Sequence, residues 1–302
     1  MTSLANVRVP ASTSNLGPGF DCFGLALKLY LTVSANEGSE PCRVTTTGAK
    51  ENETLPRNAV NLIYRAMAFT AQRESTSLPP VELVAHNEIP LASGLGSSAA
   101  AIVAGIKLSA LLTEKQLSDQ TILEYATEFE GHPDNVAASL FGGFVTNCTT
   151  SEGRVVLAKF NWPAQIRCVV VSPHSQLPTH VARAALPRTI TRADAVHNLQ
   201  RTALFIAGIT QQRYDLLWEA MRDRLHQPYR ESLVPGLAEA LALPRMPGLL
   251  GIALSGAGPS IVALVDSNEA EIGARVAACF QPHRIDSTVR VLDVDNDGCR
   301  VL

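Results

Sequence analysis

The sequence predicts an α+β fold in two domains, and three observations lead there. Strand-like and helical stretches are mixed with hairpins along the chain, instead of alternating one for one as a doubly wound parallel sheet requires. A length of 302 residues is more than one domain of ordinary size needs. The polar, turn-like run Thr149-Thr-Ser-Glu-Gly153 breaks the chain near its middle, so domains are expected at residues 1–150 and 151–302.

The elements follow in order. Val7–Ala11 reads as a short strand running into a turn-rich loop, Ser12–Gly19. Leu25–Ala35 and Arg43–Thr47, rich in Leu, Val and Thr, read as strands. Ala59–Gln72 has helical spacing, and Pro80–Ile89 is a further strand. After the loop Pro90–Gly96, a small-residue apolar helix covers Ser97–Leu112 and a second helix Ser118–Phe129. Gly142–Cys148 returns to strand. Beyond the boundary, Arg154–Phe160 and Ile166–Ser172 are strands, and Ala193–Gly208 and Tyr214–Leu225 are helices. Ile252–Leu254 and Ile261–Val265 flank Ser255-Gly-Ala-Gly-Pro-Ser260 as a hairpin. Glu269–Phe280 is a helix and Val289–Val294 a closing strand.

Charge and composition narrow the function classes. With 25 Lys+Arg against 28 Asp+Glu the net charge is −3, so no bulk attraction to nucleic acid or anionic lipid is expected. Six cysteines without a Cys-x-x-Cys read as reduced thiols, not as a disulfide framework. The seven histidines form no His-Glu-x-x-His. Met1–Val9 has no signal-peptide character, and the apolar stretch Ala99–Ile106 is too short to span a bilayer. A cytoplasmic protein with neither nucleic-acid nor membrane partner is expected.

Pro90-Leu-Ala-Ser-Gly-Leu-Gly-Ser-Ser-Ala-Ala-Ala101 carries the most chemistry. Gly94 and Gly96 let the backbone approach a ligand closely. Ser97 and Ser98 open a helix, whose unpaired N–H groups and positive dipole end favour an anion. A phosphate cradle and a plain helix N-cap both satisfy this pattern. A Walker A loop is ruled out because no lysine occurs in the stretch. Gly94-x-Gly96-x-x-Ala99 fits a dinucleotide fingerprint only weakly, since the helix that follows leads to another helix and not to a parallel strand.

The stretch resembles the serine-rich nucleotide loop of the GHMP kinases. Two further blocks occur in that superfamily's order: Val9-Pro-Ala-Ser-Thr-Ser-Asn-Leu-Gly-Pro-Gly-Phe-Asp-Cys-Phe-Gly-Leu-Ala-Leu27 and Leu254-Ser-Gly-Ala-Gly-Pro-Ser260. Asn15–Asp21, Glu130-Gly-His-Pro-Asp-Asn135, Leu177-Pro-Thr-His-Val-Ala-Arg183 and His226-Gln-Pro-Tyr-Arg230 resemble the homoserine kinase branch. The resemblance spans nearly the whole chain. It implies an N-terminal domain of the ribosomal S5 domain 2-like type, a C-terminal ferredoxin-like domain and an active site between them. It also implies ATP and Mg²⁺ as cofactors, L-homoserine as substrate and a homodimer.

Roles carry over residue by residue. The resemblance implies that ATP is held by Pro90, Leu91, Ala92, Ser93, Gly94, Leu95, Gly96, Ser97, Ser98, Ala99 and Ala100, with Asn61 near the adenine or ribose. Ser98 and Glu130 would hold Mg²⁺, which needs few protein oxygens when phosphate and water supply the rest. Asn15, Asp21, Asn135, Arg183 and Arg230 match the substrate residues, and forked guanidinium groups suit a carboxylate. Asn135, Thr179 and Arg183 are the catalytic candidates; an amide at 135 cannot take a proton at neutral pH, so transfer without a side-chain base is expected. Asn15 and Asp21 also suit turn formers, and Arg183 and Arg230 surface charges. His132 and His197 remain without a role. Another GHMP small-molecule kinase and a non-catalytic sensor of the same fold stay as alternatives.

Overall fold

In the computed structural model, residues 3–48 and 50–302 are described; the first two residues of the Met1–Val9 segment lie outside them. The N-terminal part runs β1 (Ser3–Asn15), β2 (Gly19–Glu37), β3 (Cys42–Gly48), α1 (Leu62–Arg73), β4 (Val81–Asn87), α2 (Ser97–Leu112), α3 (Asp119–Glu130), α4 (Asp134–Phe141), β5 (Phe144–Thr149) and β6 (Val155–Phe160). Then follow β7 (Arg167–Pro173), α5 (Thr179–Ala184), α6 (Arg192–Thr210), α7 (Leu217–Ala220), α8 (Gln227–Arg230), α9 (Leu237–Leu241), β8 (Leu249–Leu254), β9 (Ile261–Val265), α10 (Glu269–Ala278), β10 (Ser287–Leu292) and β11 (Arg300–Val301).

Two sheets organise these elements. The first has the order β11-β1-β2-β4-β3, with β5 joined to the early part of β2 and β6 to β5. Only β3 and β4 among its pairs are parallel. The second is fully antiparallel in the order β10-β7-β9-β8. Counted from β7 this is 4-1-3-2 with helices between strands, the ferredoxin-like arrangement. The run at Thr149–Gly153 is the turn between β5 and β6, so the chain leaves the first sheet only after Phe160. Its C-terminal end returns there as β11 beside β1.

Burial explains the local choices. Val7, Val9 and Ala11 of β1 are wholly buried, and Arg8 between the first two is half-buried, while from Val9 to Asn15 the strand is buried on both faces. Helix α2 is apolar on nearly every side and lies inside the domain, where Gly105 brings it against α1: a Cβ there would sit 2.3 Å from the Ile63 carbonyl oxygen. Phe23, Phe144 and Phe205 meet with ring centroids 5.0–5.3 Å apart, joining the first sheet to α6 of the second half.

Three expectations need correction. The loop read at Ser12–Gly19 is mostly strand, because Ser12, Thr13 and Ser14 are buried yet each hydroxyl meets a side-chain partner outside the strand. The helix read at Tyr214–Leu225 is a 3₁₀ turn and the short α7. It stops because Asp223 turns its carboxylate onto the N–H groups of Leu225, His226 and Gln227. Helix α4 was not expected, since Gly131-His-Pro-Asp reads as a turn and only eight helical residues follow.

Candidate active site

The phosphate loop leaves β4, crosses the centre of the molecule and enters α2 at Gly96, whose φ is +67°. No side chain caps α2, so its first N–H groups and its dipole face the cleft in front of them. The loop is held from behind by the β8–β9 hairpin. Ser255 Oγ donates to the Gly94 carbonyl at 2.7 Å, and the Ser260 N–H donates to the Ser93 carbonyl at 3.1 Å. Gly94 has φ +80°, and a Cβ on it would lie 2.2 Å from the Ser255 carbonyl oxygen. The hairpin turn therefore packs on the loop, and Gly94 permits the approach.

Two clefts open on either side of this loop. One is lined by Leu31, Leu55, Leu62, Ile63 and Ala101, with Asn61 and Asn87 as its amides, and has no charged residue in its wall among the described residues. The other, about 100 Å³, gathers Asn15, Asp21, Glu130, Asn135, Arg183 and Arg230. Ala92, Ser97, Ser98 and Thr179 line both, so the loop and the first residue of α5 stand where the clefts meet. Ser98 Oγ donates to Glu130 Oε2 at 2.7 Å, which puts the expected metal pair together at that junction. Among the described residues no group of three or more His, Cys, Asp or Glu could hold a metal ion. Two oxygens beside a phosphate loop fit a hard cation that takes its other ligands from phosphate and water.

The charged cleft is built from four segments. Asp21 has φ +54°, and its N–H donates to Asn15 Oδ1. Arg183 on α5 forks onto Asp21, with Nη1 at 3.0 Å and Nη2 at 2.6 Å from its two carboxylate oxygens. Arg230 is 1% exposed and has no carboxylate partner; burial, with the charge of Arg183 beside it, pulls its pKa down to about 10. Asn135 is fixed through both ends of its amide, Oδ1 accepting from Ser12 Oγ and Nδ2 donating to Ser14 Oγ. Asp134 Oδ1 accepts from His132 Nδ1 and from the Asn135 N–H, both at 2.7 Å. Burial pushes this carboxyl up, but the bond and charge of His132 outweigh it and leave the group below the usual carboxylate range.

Not every expected residue reaches a cleft. Ala99 and Ala100 are buried in the core, and the Ala100 N–H already bonds the Gly96 carbonyl. Pro90 faces a separate groove with Ser172, His174 and Arg290. Asn61 lines the apolar cleft, yet its amide caps α1 by accepting from the Ile63 N–H and donates to the Pro56 carbonyl. Asn15 likewise spends its Nδ2 on the Gly256 carbonyl. His197 lies outside both clefts. Sequence reasoning missed Phe20, whose ring centroid lies 5.6 Å from the guanidinium carbons of both Arg183 and Arg230. It also missed His226, which stacks on that ring. Their only signal was position inside blocks already singled out.

A phosphate loop between an uncharged cleft and a charged one, on a ferredoxin-like sheet packed against an S5-like one, defines a small-molecule kinase of the GHMP class. Residues 61–143 match the GHMP kinases N terminal domain, and residues 205–281 match GHMP kinases C terminal. The homoserine kinase of Aquifex aeolicus is 41% identical over 99% of this chain and 99% of its own, and that of Desulfitobacterium hafniense 40% over 99% and 100%. The crystal structure of homoserine kinase from Cytophaga hutchinsonii superposes with a TM-score of 0.85 at 29% identity, covering 99% of this chain and 97% of that one. The chain belongs to the homoserine kinase family. Among the described residues no helix is long and apolar enough to cross a membrane.

Proposed function

We propose that this chain transfers the γ-phosphoryl group of ATP to the side-chain hydroxyl of L-homoserine, giving ADP and O-phospho-L-homoserine on the route to threonine. The observation that carries the reading is the meeting of the two clefts at Ser97, Ser98 and Thr179. A base bound in the apolar cleft points its phosphates along the loop toward an amino acid in the charged one.

The division of labour follows from the chemistry. The uncapped N–H groups at the start of α2 hold phosphate oxygens. Ser98 and Glu130 would hold Mg²⁺, which supplies charge neutralisation when bound. Arg230 and Arg183 receive the substrate carboxylate, and Asp21 its ammonium. Asn135, clamped by Ser12 and Ser14, orients the hydroxyl, and Thr179 stands beside the transferring group. The O–P bond to ADP breaks as the bond to the substrate oxygen forms, and the hydroxyl proton passes to an oxygen of the transferred phosphoryl group and from there to solvent. Asp134 is a poor base for it, being buried, engaged by His132 and held below the usual carboxylate range, which leaves it weakly basic. Positioning and electrostatic stabilisation carry the step. The family resemblance also supports a cytoplasmic homodimer.

ADP release with Mg²⁺ and ATP, measured across L-homoserine, mevalonate, shikimate and galactose, tests the reading. Release is expected with L-homoserine alone. Background release with L-homoserine overturns it, and turnover of mevalonate or galactose instead would favour another GHMP kinase. The charged residues of the second cleft argue against that, because galactose carries no charge for them and mevalonate, lacking an ammonium, offers nothing to the carboxylate of Asp21.

A further inference from the structure

Of the two arginines in the charged cleft, Arg183 already has a carboxylate and Arg230 does not. Arg230 bonds only neutral acceptors: Nε to the Ala182 carbonyl at 3.2 Å, and Nη1 to the Gly256 carbonyl at 3.1 Å and to His226 Nδ1 at 3.0 Å. A guanidinium cannot accept a hydrogen bond. His226 Nδ1 must therefore be bare and its proton must sit on Nε2, which lies 2.8 Å from the Gly17 carbonyl oxygen. That second bond fixes the tautomer from the far side of the ring, as an outer partner fixes a ligating imidazole.

The ring itself cannot turn. His226 is wholly buried and stacks on Phe20 at 5.4 Å between centroids, 28° from parallel. Its backbone N–H donates to Asp223 Oδ2 at 3.0 Å, and the same oxygen also receives the backbone N–H of Gln227. His226 and Arg230 lie four residues apart on one turn, so the imidazole supports the guanidinium from beneath. A carboxylate in place of His226 would hold Arg230 equally well but would also neutralise it. A neutral acceptor holds the fork and leaves its charge for an incoming anion.

We propose that His226 is a positioning residue that aims Arg230 at the substrate's α-carboxylate and so sets the preference for an amino-acid head over a bare amino alcohol. The inference rests on the functional reading above. His226 touches no reacting atom; it acts through Arg230.

The test compares L-homoserine with 3-aminopropan-1-ol, the same molecule without its carboxylate, using the full chain with Mg²⁺ and ATP. His226→Gln keeps a donor near Gly17 and loses the acceptor at the δ position; His226→Asn keeps that acceptor. His226→Gln is expected to lower kcat/KM for L-homoserine about tenfold through KM, the worth of one charged hydrogen bond, and to leave the amino alcohol unchanged. His226→Asn is expected to retain the wild-type ratio. Equal losses on both substrates, or an unchanged ratio in His226→Gln, overturn the proposal.

A measurement on the wild-type chain stands apart from any folding defect. The ¹⁵N resonances of His226 should report the Nε2–H tautomer, and Nδ1 should shift with L-homoserine but not with 3-aminopropan-1-ol. An Nδ1–H tautomer, or the same response to both, overturns it as well. A wild type that turns over no L-homoserine fails the functional reading instead, so the two failures are told apart.

Discussion

The two clefts that meet at Ser98 bind by opposite means. The apolar cleft has no charged residue in its wall among the described residues and meets the ligand through backbone at the uncapped helix start, Ser97 and Ser98, beside which Gly94 and Gly96 bring the loop round on the charged side. The charged cleft presents side chains, two arginines against three carboxylates, most of them already engaged with one another or with neighbouring amides. Backbone recognition depends on where the chain runs and tolerates little change of path. Side-chain recognition depends on which partners each group keeps, and a single substitution removes one element while the path survives. The difference explains how a chain of net charge −3 can hold a polyanion without a lysine-rich surface.

The comparison breaks most visibly at Gly94. Gly94→Ala adds a Cβ 2.2 Å from the Ser255 carbonyl oxygen at a φ of +80°, so the loop must lift off the hairpin. A fall in kcat/KM of about 10³-fold is expected, the scale for losing preorganised backbone donors. Gly153→Ala is the control: its φ is also +80°, but no atom lies within 4 Å of the added Cβ. It carries the same backbone strain, about 1–2 kcal/mol, with no contact to break. Steady-state kinetics and melting temperatures of the pair separate path from strain; equal activity in the two variants would show that the loop does not depend on its seat.

The legibility of the sequence follows the same division. The phosphate loop was readable because its glycines and serines state a backbone requirement in residue types. So were α2, a continuous run of small apolar residues, and the hairpin, whose apolar strands flank a Gly- and Pro-rich turn, whereas the ferredoxin-like half was legible only through the family resemblance. What could not be read were partners brought together from far apart. Nothing local says that Ser12 and Ser14 stay in a strand because Asn135 lies across from them, 121–123 residues away. Nor does the spacing show that Asn61 caps a helix while lining a cleft, or that Asp223 ends one helix to begin another. Apart from the family resemblance, Arg230 suits a surface charge as well as a ligand, and it is among the largest fully buried side chains in the molecule.

Arg230 gives the counterpart on the side-chain cleft. Arg230→Met removes a buried charge that no carboxylate compensates, so folding stability should change little, the lost bonds being offset by relief of desolvation. The substrate carboxylate loses its buried partner, an effect of roughly 2–5 kcal/mol. KM for L-homoserine should rise about 10²-fold, with KM for ATP unchanged. Isothermal titration with each ligand alongside kinetics checks it. A matching loss of ATP affinity would mean that the two clefts are not separable as described.

The smallest effect concerns His226 as a proton acceptor in acid. Burial, only partly offset by the carboxylate of Asp223 at 3.6 Å and reinforced by the charge of Arg230, holds its pKa below the ordinary value of 6.5. Below about pH 6.5 the unfolded chain therefore binds a proton that the folded chain refuses. Stability contributed by the neutral ring is fully present above that pH and is lost as pH falls toward the folded value, by at most about 1.4 kcal/mol per pH unit. His132 works in the other direction: burial lowers its pKa, but the bond and charge of Asp134 outweigh that and raise it, so its stabilisation fades as pH rises. Both histidines titrate in one window, and the wild-type profile alone cannot assign the slope. The difference between wild type and His226→Asn can, because the His132 contribution cancels. Denaturant titrations from pH 7.5 to 5.5 should show the wild type losing stability faster than the variant, while Asp134 and Asp223, both held below the usual carboxylate range, stay ionised throughout. Parallel profiles would show that the ring takes up its proton inside the fold without cost, and the side-chain cleft would then be less tightly built than its hydrogen bonds imply.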